Sequence, residues 1–326
     1  MAFSPGSAWR QGRNDRTITS TTRARERAAP GGKRGVTLRG TFAPRWGTRT
    51  YVMGIVNVTP DSFSGDGLMD PILAVDHALH LAEHGADILD VGGESSRPGG
   101  TPVEADEELA RIIPVIQALR DRTDLPISID TRRAEVAEAA LGAGATIVND
   151  VWGFRSDPDL AGVAARGGAW AVAVHNRHAA AATVPGLGGF FPQVPYDDVV
   201  AEVVGELRGS VAVLLDAGVP EEKIIVDPGI GFGKSPEQNL QLLARLSELR
   251  SLGRPILLGA SRKSTIGLVL GLPPTDREEG TAAAVALGIQ NGADIVRVHD
   301  LPAMARVARM ADAIVRGWSR EAASNG

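Results

Sequence analysis

From Tyr51 onward, short apolar runs alternate with longer stretches in which apolar residues return every three or four positions. The runs cover 51–58, 86–93, 126–131, 146–151, 170–174, 223–228, 255–261 and 293–300. Each is brief, bounded by turn-forming residues, and apolar enough for a strand buried on both faces. The stretches between them carry the helical period. In 71–84 the apolar positions are Ile72, Val75, Leu79 and Ala82, and in 104–120 they are Leu109, Ile112, Ile113, Ile116 and Leu119, spacings that gather them on one side of a helix. Further helices are predicted over 133–143, 157–166, 196–217, 236–252, 277–291 and 302–318. Gly85, Gly144, Gly218, Gly253 and Gly292 stand where helix gives way to strand, positions that suit left-handed C-terminal caps. Successive strand–helix units of this number and length predict a single α/β domain, a closed (β/α)8 TIM barrel rather than an open sheet.

The alternation fails at both ends. Residues 1–47 are rich in Arg, Ser, Thr and Gly, poor in acids, and lack an apolar period. Burial there cannot offset the entropy of ordering, so a mobile basic tail is expected. The same composition also suits an organellar transit peptide. The barrel domain is expected over 48–318 and a frayed end over 319–326. The chain has 326 residues, 43% of them hydrophobic, enough for one large core. No run is long and apolar enough to span a bilayer. The absence of Cys removes disulfides and thiolate metal sites, and a cytoplasmic location is expected. A net charge of −5 gives no nucleic-acid footprint, so the expected partners are small molecules, with no nucleic acid and no membrane. His77, His80 and His84 share a face of the first helix but lack a matching carboxylate, so a solvated surface is expected there. Trp152 and Trp170 are read as core.

Candidate chemistry lies where the strands end, because parallel barrels gather their catalytic groups at that rim. The first strand ends in Asn57, the second in Glu94, Ser95, Ser96 and Arg97, the third in Asp130, and the fourth in Asn149 and Asp150. The fifth ends at His175, Asn176 and Arg177, the sixth in Asp227, the seventh in Ser261, Arg262 and Lys263, and the eighth in Arg297, His299 and Asp300. Arg97, Arg297 and His299 suit phosphoryl oxygens. Asn57, with Asp130 as a second candidate, offers oxygen to a hard cation such as Mg2+, which takes its other ligands from phosphates and water. Asp227, Asn149 and Lys263 suit the hydrogen-bonding edge of a flat heterocycle. Gly229, Gly231 and Gly233 are read as room for the backbone to approach a ligand.

In order along 51–315, the segments NVTPDSFSGDG, DVGGESSRPG, ISIDT, NDVWG, VDPGIGFGK, GASRKS and RVHD resemble the signatures of the dihydropteroate synthase family. That resemblance implies a (β/α)8-barrel transferase joining 6-hydroxymethyl-7,8-dihydropterin diphosphate to 4-aminobenzoate, with release of diphosphate, in folate synthesis. It implies Mg2+ as cofactor, contacted by Asn57, and a pterin pocket of Asp130, Asn149, Asp227 and Lys263. It implies a diphosphate clamp of Arg97, Arg297 and His299, and Phe63, Ser96, Pro98, Phe232 and Ser264 around 4-aminobenzoate. Catalytic roles fall to Arg97, Arg297, His299 and Lys263, sulfonamides are expected to act at the aminobenzoate pocket, and a homodimer is expected. In the first loop Asp66 comes one position later than the family's Asp-Gly-Gly order; Ser96 replaces a more frequent Thr, and Val174 replaces a frequent Met. These departures bear on fine specificity and leave every charged group in place. A methyltetrahydrofolate-binding module of the corrinoid methyltransferases would share the pterin edge but has no use for a diphosphate clamp. A silent paralogue would be expected to lose clamp or pterin residues. A fused pterin kinase or aldolase is not expected, because the barrel takes up almost the whole chain.

Overall fold

The computed structural model describes residues 42–59, 70–95, 103–177, 181–184, 186–192 and 194–318. Five strands come first: β1 (Tyr51–Asn57), β2 (Ile88–Gly92), β3 (Ile127–Asp130), β4 (Ile147–Asp150) and β5 (Trp170–Val174). A small antiparallel hairpin, β6 (Ala182–Val184) and β7 (Gly188–Phe190), follows. The remaining strands are β8 (Ile224–Asp227), β9 (Leu257–Leu258) and β10 (Ile295–Val298). Apart from the hairpin they form an eight-stranded parallel sheet in the order β8-β5-β4-β3-β2-β1-β10-β9. A parallel bridge between Val226 and Ile256 joins the two outer members, so the expected α/β TIM barrel is closed. The helices are α1 (Pro71–Glu83), α2 (Ala105–Arg122), α3 (Ala134–Ala143), α4 (Leu160–Arg166), α5 (Val199–Asp216), α6 (Pro236–Ala244), α7 (Ser264–Leu270), α8 (Glu278–Gln290) and α9 (Leu301–Arg316). Among the described residues no helix is long and apolar enough to cross a membrane.

Two apolar layers follow from the pleat. Val52, Val56, Leu89, Val91, Ile129, Val148 and Val226 pack with the helices in one cluster. The alternate positions Tyr51, Met53, Ile88, Ile147, Val172, Ile225, Leu257 and Ile295 form a second cluster, which fills the barrel. Continuing that period of two toward the carboxyl ends places Asn57, Asp90, Asp130, Asn149, Asp227 and Arg297 on the interior face. The barrel is therefore apolar at one end and ionisable at the other.

The apolar end is closed by residues that composition had assigned to the tail. Phe42 is buried and packs with Trp46 on Tyr51 and Trp170 in edge-to-face contacts. The domain therefore begins before residue 48, at least at Phe42. Polar flanks hid this short aromatic plug, which has too few residues to show a period. Trp170, expected in the core, is partly buried and packs against the cluster that fills the barrel.

Candidate active site

At the polar end, β10 presents Arg297 to the barrel interior, where it reaches past β1 to β2 and β3. Its Nε donates to Asp90 Oδ2 at 2.6 Å and its Nη2 to Asp130 Oδ2 at 2.7 Å. Asn149 is in register with Asp130, and its Nδ2 donates to Asp90 at 3.3 and 3.4 Å. The Asn149 Oδ1 is buried and has no partner among the described residues, an acceptor ready for a ligand N–H. Burial raises Asp130, with the Arg297 charge pulling the other way and the Asp90 carboxylate adding to the rise. For Arg297 burial opposes the charge, but the attraction of Asp90 and Asp130 outweighs it and its pKa is raised. The guanidinium is a fixed cation.

Across the barrel, Asp227 ends β8 and is buried. Its Oδ1 accepts from the Gly229 amide at 2.6 Å. Burial pushes its carboxyl up to about 6, against the Gly229 N–H and the charges of Lys263, Lys234 and Arg297. Lys263 reaches over the Phe232 ring, Nζ 4.0 Å from the centroid. Burial and then Arg297 bring its pKa down to about 8, while Asp227 and Asp130 oppose the shift. His299 Nδ1 lies 3.0 Å from Ser261 Oγ, which also accepts from the His299 amide at 3.2 Å. Asn57 ends β1 half-buried, opposite Gly92. Ser264 opens α7 beside Lys263.

Several strand-end residues point elsewhere. His175 bonds Glu206 of α5 at 3.1 Å, and Arg177 also pairs with Glu206 and with Glu202 at 2.7 Å. Burial and the nearby Lys234 hold His175 down to about 4, so it is neutral and structural. Asp150 caps the following turn by accepting from the amides of Trp152 and Phe154. Glu94 pairs with Arg132 and Arg133, and Arg262 with Asp300. The glycine loop also differs from expectation. A Cβ on Gly229 would lie 1.8 Å from His175 O, and one on Gly233 would lie 2.3 Å from Arg177 O. Gly229 and Gly233 admit the chain's own backbone, whereas a Cβ on Gly231 would lie 3.0 Å from Lys263 Cδ. The buried Lys234 Nζ holds the loop by donating to the carbonyls of Gly229 at 3.0 Å, Phe232 at 2.8 Å and His175 at 3.3 Å.

Asp90 escaped the sequence reading because it precedes the end of its strand. Counting by two from Ile88 would have placed it on the interior face. Arg97, Phe63, Ser96, Pro98 and Asp66 lie outside the described residues. His80 and His84 stack at the exposed end of α1, His84 Nδ1 2.7 Å from His80 O, a helix-end contact.

The family model described as pterin binding enzyme matches residues 53–299. A dihydropteroate synthase of Clostridium beijerinckii is 47% identical over 272 residues, covering 83% of this chain and 96% of the relative. The crystal structure of the Clostridium difficile dihydropteroate synthase in the presence of pteroic acid superposes with a TM-score of 0.77 at 48% identity, covering 84% of this chain and 100% of that one. The Xanthomonas albilineans enzyme in complex with 7,8-dihydropteroate superposes with a TM-score of 0.71 at 42% identity, covering 82% and 94%.

Proposed function

The chain belongs to the dihydropteroate synthase family of pterin-binding enzymes, transferases that join 6-hydroxymethyl-7,8-dihydropterin diphosphate to 4-aminobenzoate, and from that premise we propose how its barrel rim performs the reaction. The supporting observation is the convergence of Asn149, Asp227, Lys263 and Arg297 on one interior rim, with an open acceptor on Asn149. Asp227 accepts from the pterin ring N–H and 2-amino edge, and Asn149 from a further ring donor. Lys263 donates to a ring acceptor, and Asp130 completes the pocket. Arg297 and His299, with Arg97 from the loop after β2, neutralise the diphosphate oxygens.

The bond from the exocyclic methylene to the diphosphate oxygen breaks, and the electron pair leaves with diphosphate. The electron-rich dihydropterin spreads the resulting positive charge. The free lone pair of the arylamine then forms the C–N bond, and its proton is released to solvent or diphosphate. No strong general base is needed, because an arylamine is already neutral. Phe232 and Ser264, with Phe63, Ser96 and Pro98, form the surroundings of 4-aminobenzoate. Phe232 and Ser264 lie against or beside Lys263, at the margin of the pterin pocket.

Mg2+ fits this rim only as a partner of the leaving group. Among the described residues no set of three His, Cys, Asp or Glu could hold a metal ion, and Asp130 is already paired with Arg297. Asn57 carries one side-chain oxygen at the end of β1, a donor type that suits a cation keeping water and diphosphate ligands. When bound there, Mg2+ would draw charge from the departing diphosphate. A homodimer is supported by the exposed Leu287 on α8 and Met310 and Ile314 on α9, and a cytoplasmic location is part of the same reading.

Mixing the two substrates with and without Mg2+ tests the proposal. Dihydropteroate and diphosphate should appear in equal amounts, dependent on 4-aminobenzoate. A pterin-binding methyl-transfer module would release no diphosphate. Sulfonamides should compete with 4-aminobenzoate; inhibition that high 4-aminobenzoate fails to relieve would count against the pocket assignment.

A further inference from the structure

Arg262 has φ 54° and is one of two non-glycine residues with positive φ among those described. An L-residue with a long side chain does not adopt that conformation without cost. Its backbone is held from both sides by the start of α8. The Arg262 amide donates to Thr281 Oγ1 at 3.1 Å, and the Arg262 carbonyl accepts from Arg277 Nη1 at 2.9 Å. Arg277 is fully buried and also donates to Leu272 O from Nε at 3.1 Å and to Leu187 O, in the hairpin turn, from Nη2 at 2.8 Å. A Cβ on Gly267 would lie 2.1 Å from the same guanidinium, so α7 is shaped around it. Arg277 therefore ties the β9–α7 turn, α7 and the β6–β7 hairpin together.

The turn at Arg262 separates two parts of the site. Ser261, just before it, supports His299. Lys263, just after it, reaches over Phe232 toward Asp227. A relaxed backbone at Arg262 would redirect one neighbour relative to the other. We propose that Arg277 and Thr281 are positioning residues that hold Arg262 in the left-handed conformation, fixing Lys263 and the Ser261–His299 pair in register. The proposal rests on the assignment of Lys263 to the pterin and His299 to the diphosphate.

Steady-state kinetics on full-length Arg277→Lys and Thr281→Val, with folding followed by circular dichroism, provide the test. Lys keeps the charge but carries its donors on one nitrogen, which cannot reach all of the carbonyls that Nε, Nη1 and Nη2 of Arg277 serve separately. Val replaces one hydroxyl by a methyl group in a fold that should survive. Both variants should stay folded and lose about 10²-fold in kcat/KM for dihydropterin diphosphate, the scale of a small misplacement of a reacting group. The decisive comparison places Thr281→Val in two backgrounds. Arg262→Ala keeps the backbone cost, whereas Arg262→Gly removes it. The Thr281→Val loss should persist in the first background and shrink at least about threefold in the second. Equal losses in both backgrounds, or lowered melting with unchanged kinetic constants, would overturn the proposal. Lys263→Met separates the two claims. If it leaves the KM for dihydropterin diphosphate unchanged, the site assignment falls and the inference with it. If it raises that KM while Arg277→Lys and Thr281→Val change nothing, the positioning role alone falls.

Discussion

Asp227, proposed to accept from the pterin edge, is buried at the end of β8. Its carboxyl is pushed up to about 6 by burial, above the usual value near 3.9. The folded chain therefore binds this proton more readily than the unfolded chain. The resulting contribution is complete below the ordinary aspartate value and is lost as pH rises through about 6. Asp227→Asn, which needs no proton, should consequently be more stable than the parent at pH 8 by on the order of 2 kcal/mol, with the gap closing toward pH 4. Thermal melts across that range check the sign; a destabilised variant at pH 8 would mean the carboxylate holds the rim together. The same variant should bind dihydropterin diphosphate about 2 kcal/mol more weakly, the scale of a lost charge-assisted hydrogen bond, as calorimetry would measure. Residues such as Asn149, Asp227, Lys263 and Arg297 were legible because each interrupts or ends an apolar run. His175 and Arg177 stand at an equivalent place, yet they turn to Glu206 on α5. A strand-end position does not disclose which way the following loop turns. Asp90 was hidden for the opposite reason, lying within the strand but on its interior face.

Helices with a strong period and a clear stop were legible to within a few residues, and short or interrupted elements were not. The helix expected over 236–252 leaves its α-helical path after Ala244 and continues as a 3-10 segment, Leu246–Leu252. The seventh run shrinks to Leu257–Leu258, and α7, with β-branched residues and an internal glycine over only seven residues, carries no readable period. The β6–β7 hairpin occupies a stretch rich in Ala and Gly, where alternation is weak. Packing between elements also imposes limits that a residue-type pattern cannot express. A Cβ on Gly288 of α8 would lie 2.2 Å from Leu258 Cδ2 on β9. Gly288→Ala should therefore destabilise the barrel by about 1–3 kcal/mol despite the better helix propensity of Ala. Denaturant melts would detect it, and a gain in stability would show that the Leu258 side chain moves aside without cost.

Across the whole molecule, stability and chemistry occupy opposite ends of the barrel. Phe42, Trp46, Tyr51 and Trp170 close the amino-terminal end, whereas the ionisable rim gathers at the carboxyl ends of the strands. Phe42→Ala should cost about 3 kcal/mol of stability, within the range for a buried aromatic truncation, and leave kcat unchanged in the folded fraction. A fall in kcat at full foldedness would mean that the two ends are coupled. The division of the rim into a ring-binding side and a diphosphate-binding side is the central claim, and Arg297 tests it most directly. Its guanidinium bridges Asp90 and Asp130, and it is a fixed cation assigned to the proposed leaving group. The measurement is single-turnover formation of dihydropteroate by Arg297→Ala, read beside its affinity for the pterin alcohol that lacks diphosphate. Turnover should be slowed by about 10²-fold or more, the loss expected when a preorganised donor to a developing anion is removed, with the alcohol still bound. Normal turnover together with lost affinity for the alcohol would contradict it, reversing the clamp and ring assignments.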